Sequence, residues 1–174
     1  MSLQGLSKVK TAIDAFINSL GQLISWFTLL MVFVMTLVVV LRYGFNIGWI
    51  AMQESVVYMH AFLFMLGAAY TLNKDEHVRV DIFYQRFSAK NKAWVDLIGT
   101  VFILFPVCGF IFYYSFGYVM SSWRLLETSA EAGGIPAVFV LKTLLLVMPT
   151  LMVLQGIATL IAQILTIADK EEAL

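Results

Sequence analysis

Apolar positions run almost unbroken through four stretches of this chain, from Asp14 to Arg42, from Trp49 to about Asn73, from about Trp94 to Trp123 and from about Pro136 to Ala168. A hydrocarbon core about 30 Å thick takes roughly 20 apolar residues per helical crossing, so each stretch is long enough to span it. None alternates apolar and polar residues as a barrel strand does, which favours helices throughout. The predicted fold class is therefore an all-α integral membrane protein with four transmembrane helices, at residues 20–42, 49–72, 93–123 and 136–167.

Two amphipathic segments accompany these spans. Leu3, Leu6, Val9, Ile13, Phe16, Ile17 and Leu20 recur at helical spacing, while Lys8, Lys10, Asp14 and Asn18 take the other positions. That pattern predicts an N-terminal amphipathic interfacial helix over residues 1–19, lying along the cytoplasmic surface. A short amphipathic cytoplasmic segment is predicted between helices 2 and 3, where Ile82, Phe83 and Phe87 interleave with Asp81, Arg86 and Lys90 before Ser88 offers an N-cap. Gly133 and Gly134 break the chain ahead of the last span, and Pro136 is placed in that helix's first turn, where its missing N–H costs little. The third helix, continuous from Trp94 to Trp123, would be roughly 43 Å long and must tilt or protrude. Four crossings in 174 residues leave little chain outside the bilayer, so a single membrane domain over 1–174 is expected.

Composition narrows the class. A 61% hydrophobic content and a mean hydropathy of +0.88 agree with a membrane protein, and a net charge of zero argues against a nucleic-acid partner. The first apolar run is much longer than the ~7–15 residues of a signal-peptide core and no small-residue cleavage pattern follows it, so it is expected to stay as a helix. Cys108 is the lone cysteine, unable to form an intrachain disulfide, and reads as a small buried hydrophobe.

Charge distribution gives the orientation. Lys8, Lys10, Lys74, Arg79, Arg86, Lys90, Lys92 and Lys170 fall on one side of the predicted spans, and Arg42 and Arg124 on the other. Basic residues stay on the cytoplasmic side, so both termini are predicted to be cytoplasmic. Trp49, Trp94 and Trp123 stand at predicted helix ends, where an indole finds apolar cover and water together.

Ionisable and polar groups inside the spans are costly, which makes Arg42, Glu54, His60, Lys142 and Gln155 the functional candidates. Arg42 and Glu54 flank the short turn 43–48, where a charge-assisted pair is open to them. The competing readings are that Arg42 snorkels to phosphates and Glu54 caps its own helix. For His60, a hydrogen bond to a neighbouring helix outweighs a proton relay or a haem ligand, since the only other histidine is His77, in a loop. No catalytic residue, no metal-ligand cluster, no substrate-binding residue and no cofactor is expected on this chain. The spans carry almost no polarity at the midplane, so a scaffold that depends on another membrane protein is favoured over an autonomous small carrier or a haem- or quinone-binding anchor.

From Arg42 to Asp81 the sequence resembles the small membrane subunit of tripartite ATP-independent periplasmic (TRAP) transporters. The resemblance rests on Arg42-Tyr43 and Phe45, Trp49 and Glu54, Leu66-Gly67-Ala68-Ala69, and above all His77-Val78-Arg79-Val80-Asp81. It continues more weakly through Gly134-Ile135-Pro136, Pro149 and Gln155-Gly156. It implies a bacterial inner-membrane protein that works with a large multi-helix subunit carrying the substrate and sodium sites. A periplasmic substrate-binding protein would deliver the solute, commonly an organic acid. It further implies a partner interface including Arg42, Trp49, Glu54 and His60, and a cytoplasmic structural turn of His77, Arg79 and Asp81 whose charged groups are satisfied by one another, by lipid phosphates or by the partner. Sodium would be held by the large subunit, with no metal on this chain.

Overall fold

Helix-forming apolar runs separated by short polar breaks give an all-helical chain in the computed structural model, which describes residues 3–77, 84 and 86–171. Helix α1 covers Leu3–Phe45 and α2 covers Ile50–Asn73. Next, α3 (Ala89–Gly99) runs through a π-helical turn, Thr100–Leu104, into α4 (Phe105–Leu125). The last helix, α5, covers Val138–Glu171. Four helical stretches are long and apolar enough to cross a membrane: Gln4–Phe45, Ile50–Asn73, Ala89–Leu125 and Val138–Ala168. One end of the bundle carries both termini, and the other carries the α1–α2 and α4–α5 loops.

The interfacial arm and first span, expected as separate elements, form one helix of 43 residues, about 64 Å long. The arm's apolar positions are partly taken up by the protein itself. Ile17 is buried against Ala69, Leu151 and Met152, with Ile13 and Leu20 packed beside it. Beyond Gly21, α1 touches its neighbour along one seam, Ile24, Phe27, Met31, Val34, Val38 and Leu41, a repeat of three and four that keeps one stripe on α2. Its other faces are exposed, with Leu23 and Trp26 both at 67%.

Close approach at the α1–α2 crossing requires a glycine. A Cβ on Gly21 would lie 2.9 Å from Tyr70 Cβ and closer still to the tyrosine ring. About two turns further along the same seam, Phe27 meets Phe62 edge to face, with ring centroids 6.4 Å apart. Asn46, with φ of 55°, ends α1 in the left-handed conformation that asparagine tolerates, and Ile47 N–H reaches back to Leu41 O at 3.0 Å.

The third crossing starts as expected at Ser88, whose hydroxyl accepts from Asn91 N–H at 3.3 Å. It is not a uniform helix. A proline ring clashes with the carbonyl four residues earlier, here that of Phe102, and the π turn around that carbonyl relieves the clash at Pro106. The widened turn packs onto Gly156 of α5, where a Cβ would fall 2.6 Å from Leu104 Cδ2 and 2.7 Å from Phe105 Cε1. Cys108 is buried and free, beside Leu151 and Met152.

Helix α5 is the central strut, packing against every other element. Half of its most apolar window is buried, 50% against 6–11% for the other three crossings. It begins at Val138, so Pro136 precedes the helix rather than occupying its first turn. Pro149 lies inside α5 and is fully buried. Most of the amphipathic segment expected after His77 lies outside the described residues.

Candidate functional site

Hydrogen-bonded polar clusters form at the two ends of the bundle, and the His60 imidazole stands between them on its outer surface. At the loop end, Glu54 sits one turn into α2, whose N-cap residue, Trp49, makes no side-chain cap. Its carboxylate reaches across to the α4–α5 loop. Ser129 Oγ–H donates to Glu54 Oε1, and Ile135 N–H donates to Oε2 at 2.6 Å. A Cβ on Gly134 would fall 2.7 Å from Glu54 Oε1, so the loop's glycine makes room for the carboxylate. Glu54 thus fastens a loop more than 70 residues away in sequence; it neither caps its own helix nor pairs with Arg42.

A second latch closes the α4–α5 corner. Leu126 leaves α4 with φ of 45°, turning the chain so that Glu127 lies over the helix end. Lys142 Nζ donates to Glu127 Oε2 at 2.5 Å and Ser122 Oγ donates to the same oxygen at 2.6 Å. The ammonium also stands 4.0 Å from the centroid of the Tyr118 ring. Trp123 Nε1–H donates to Thr143 Oγ1 at 2.8 Å, and its ring meets Phe139 at 4.7 Å.

The hydrogen bonds from Lys142 and then Ser122 hold the Glu127 carboxyl below its ordinary value of 4.5. A depressed carboxylate pKa contributes stability that is present above the ordinary value and is lost as pH falls through the lowered one. Wild type should therefore unfold at a higher temperature than Glu127→Gln at pH 7, and the gap should close as pH falls below 4.5. Thermal unfolding in detergent at stepped pH checks this.

At the terminal end, Asp14 joins three helices. Lys10 Nζ donates to its Oδ2 at 2.6 Å, Asn73 Nδ2 from the last turn of α2 to Oδ1 at 2.8 Å, and Gln155 Nε2 from α5 to Oδ1 at 3.1 Å. Gln155 is 3% exposed, and its Oε1 has no hydrogen-bond partner among the described residues. A cavity of about 730 Å³ opens beside this node, with Asp14, Asn73, Asp96, Thr100 and Gln155 in its wall. Asp96 is tied in turn to Tyr84 OH at 2.7 Å. Asp14 escaped the sequence reading, which set it on the polar side of the arm; its four-residue spacing from Lys10 was the available signal.

Of the candidates for a partner interface, Arg42 and Trp49 are exposed at the loop end, Trp49 at 60%, and neither contacts Glu54 through a hydrogen bond or ion pair among the described residues. His60 points outward from α2 and stacks on Phe64, with ring centroids 6.4 Å apart; it makes no hydrogen bond to another helix among the described residues. His77 is exposed, while Arg79 and Asp81 lie outside the described residues. No group of three or more His, Cys, Asp or Glu side chains able to hold a metal occurs among the described residues.

No curated protein and no solved structure matches the chain. A family model does, that of the tripartite ATP-independent periplasmic transporters, DctQ component, over residues 31–166. That range takes in α2, α3, α4, nearly all the spanning part of α5 and the later half of the α1 span, with both loop-end latches. By a match over well more than half its length, the chain belongs to the DctQ component family of tripartite ATP-independent periplasmic transporters, as a small membrane subunit.

Proposed function

We propose that this chain braces the static scaffold of a large TRAP membrane subunit and helps form the surface on which a periplasmic substrate-binding protein docks. The transporter would take up an organic acid with sodium. Substrate and sodium sites belong to the large subunit on this reading, and this chain holds no cofactor. Both termini are cytoplasmic and the loop end is periplasmic, in keeping with the basic residues near the terminal end.

One observation carries the proposal. Three of the four crossings bury only 6–11% of their apolar windows within the chain, which leaves long apolar flanks for another membrane protein. The carboxylates of Asp14, Glu54 and Glu127 are engaged in joining helices and loops. In this arrangement Arg42 and Trp49 lie exposed beside the docking face, and Glu54 holds the α4–α5 loop in the shape presented to the soluble component.

Co-purification tests the bracing role: a tagged chain should retain the large subunit of its own transporter through size exclusion, and separate elution would count against it. Docking is tested by Glu54→Gln. A glutamine can still accept from Ile135 N–H and donate to Ser129 Oγ but loses the charge-assisted strength of both bonds, so the variant should keep the large subunit yet weaken capture of the binding protein and lower uptake. Unchanged uptake would remove Glu54 from the docking face.

A further inference from the structure

Most outward-facing positions on this bundle are apolar, as lipid requires; Thr36, Tyr113, Tyr114 and Thr150 are exposed within the spans too, but His60 is the one imidazole among them. It is the eleventh residue of α2, about 15 Å along the helix from Ile50, and some 20 Å from Asn73 at the other end. Those distances place the imidazole near the middle of a hydrocarbon core about 30 Å thick. The ring lies on an exposed stripe with Val57, at 58%, one turn before it and Phe64, at 70%, one turn after.

An imidazole always presents at least one N–H donor. Acyl chains offer that donor nothing, and headgroup oxygens are too far along the helix for a side chain of this length to reach. Among the described residues no acceptor of this chain meets it, and Phe64 covers one face of the ring without supplying a hydrogen bond. The stripe is one side chain wide, apolar above and below a polar centre, the form one crossing helix would complement.

We propose that the Val57–His60–Phe64 face of α2 seats a transmembrane helix of the large subunit, with His60 hydrogen-bonded at the midplane to an oxygen acceptor on that helix. This rests on the bracing role proposed above. It adds the contact face, its depth and the chemistry of the partner group: a side-chain hydroxyl or amide oxygen, or a main-chain carbonyl released from a broken helix. The bond fixes the height and rotation of α2 against its partner, which apolar packing alone leaves free to slide.

The test compares His60→Leu in the isolated chain and in the complex of this chain with its large subunit. In the isolated chain the substitution removes an unmatched polar group, so the unfolding midpoint in detergent should hold or rise. In the complex it should raise the dissociation constant roughly threefold, the average worth of one interhelical hydrogen bond within a membrane. His60→Asn, which keeps an N–H donor, should recover part of that loss. A photo-crosslinking residue at position 57 or 64 should form adducts with the large subunit. A wild-type complex that His60→Leu leaves unchanged, or adducts formed only with lipid or with a second copy of this chain, would overturn the contact while leaving the bracing role intact. Absence of any complex with the wild-type chain would overturn both.

Discussion

Replacing Asp14 with alanine is expected to loosen the terminal end of the bundle more than any other single loss of a polar group. Three donors converge on its two oxygens, from α1 itself, from the last residue of α2 and from the middle of α5. Removing the acceptor leaves the amide of Gln155, which is 3% exposed, without its side-chain partner among the described residues and strands a lysine beside it. A buried donor left unsatisfied costs about 1–3 kcal/mol, and stranding the charge adds to that. Unfolding in mixed detergent micelles, followed by tryptophan fluorescence, gives the loss directly. Asp14→Leu combined with Gln155→Leu should be less damaging than the sum of the two single changes, since groups in direct contact couple by about 0.5–3 kcal/mol. Strict additivity would show that the node does not hold the helices together.

An equally large effect is expected from Gly21→Ala, for a steric reason. The added methyl would meet the Tyr70 ring and lie 2.9 Å from Tyr70 Cβ, and no rotamer of the tyrosine moves that second atom. Helices α1 and α2 would have to separate at the point where Ile17, Ala69 and Met152 close the core. Overpacking of this kind costs about 1–3 kcal/mol, and more where backbone must shift. Tyr70→Ala in the same chain should restore part of the stability, because it removes the ring and leaves the Cβ contact. Gly117→Ala is the control: nothing lies within 4 Å of the new methyl, so the isolated chain should be unchanged or slightly more stable. Equal behaviour of the two glycine variants would dismiss the tight crossing.

Much of this architecture could be read from the sequence because membrane spans are governed by length and hydropathy. The spans, the Ser88 cap and the buried, unpaired Cys108 all follow from local pattern. What could not be read depends on contacts between distant residues. Glu54 stood out as a charge inside a span, but its nearest cationic neighbour in sequence, Arg42, pointed to the wrong partner; the groups it binds are Ser129 and the Ile135 amide. Gln155 stood out by its depth, while Asp14, 141 residues away in sequence, was assigned to a solvated face. The arm of α1 was expected to be a separate interfacial element because its polar and apolar residues alternate at helical spacing. That spacing equally suits a helix that packs part of its apolar stripe on the bundle: Ile13, Ile17 and Leu20 do so in the uninterrupted α1, while Val9 and Phe16 stay exposed. Pro106 marked an irregularity in the third crossing, but its form, a π turn seated on Gly156, required the fold to be known.

His60 illustrates the opposite case. Sequence reasoning favoured a hydrogen bond to a neighbouring helix, and within this chain none is made among the described residues; the unpaired imidazole instead faces outward at mid-depth. A polar group that costs free energy in lipid is explained if the neighbouring helix belongs to another subunit.

Solute uptake into proteoliposomes tests the scaffold role most directly. Vesicles holding this chain alone, this chain with the large subunit, and both with the soluble binding protein would be compared for uptake of a labelled organic acid under an inward sodium gradient. Transport in the complete system only, with vesicles of the single chain matching protein-free ones, is the predicted result. Saturable uptake by the single chain would contradict a bracing subunit that has no solute path of its own.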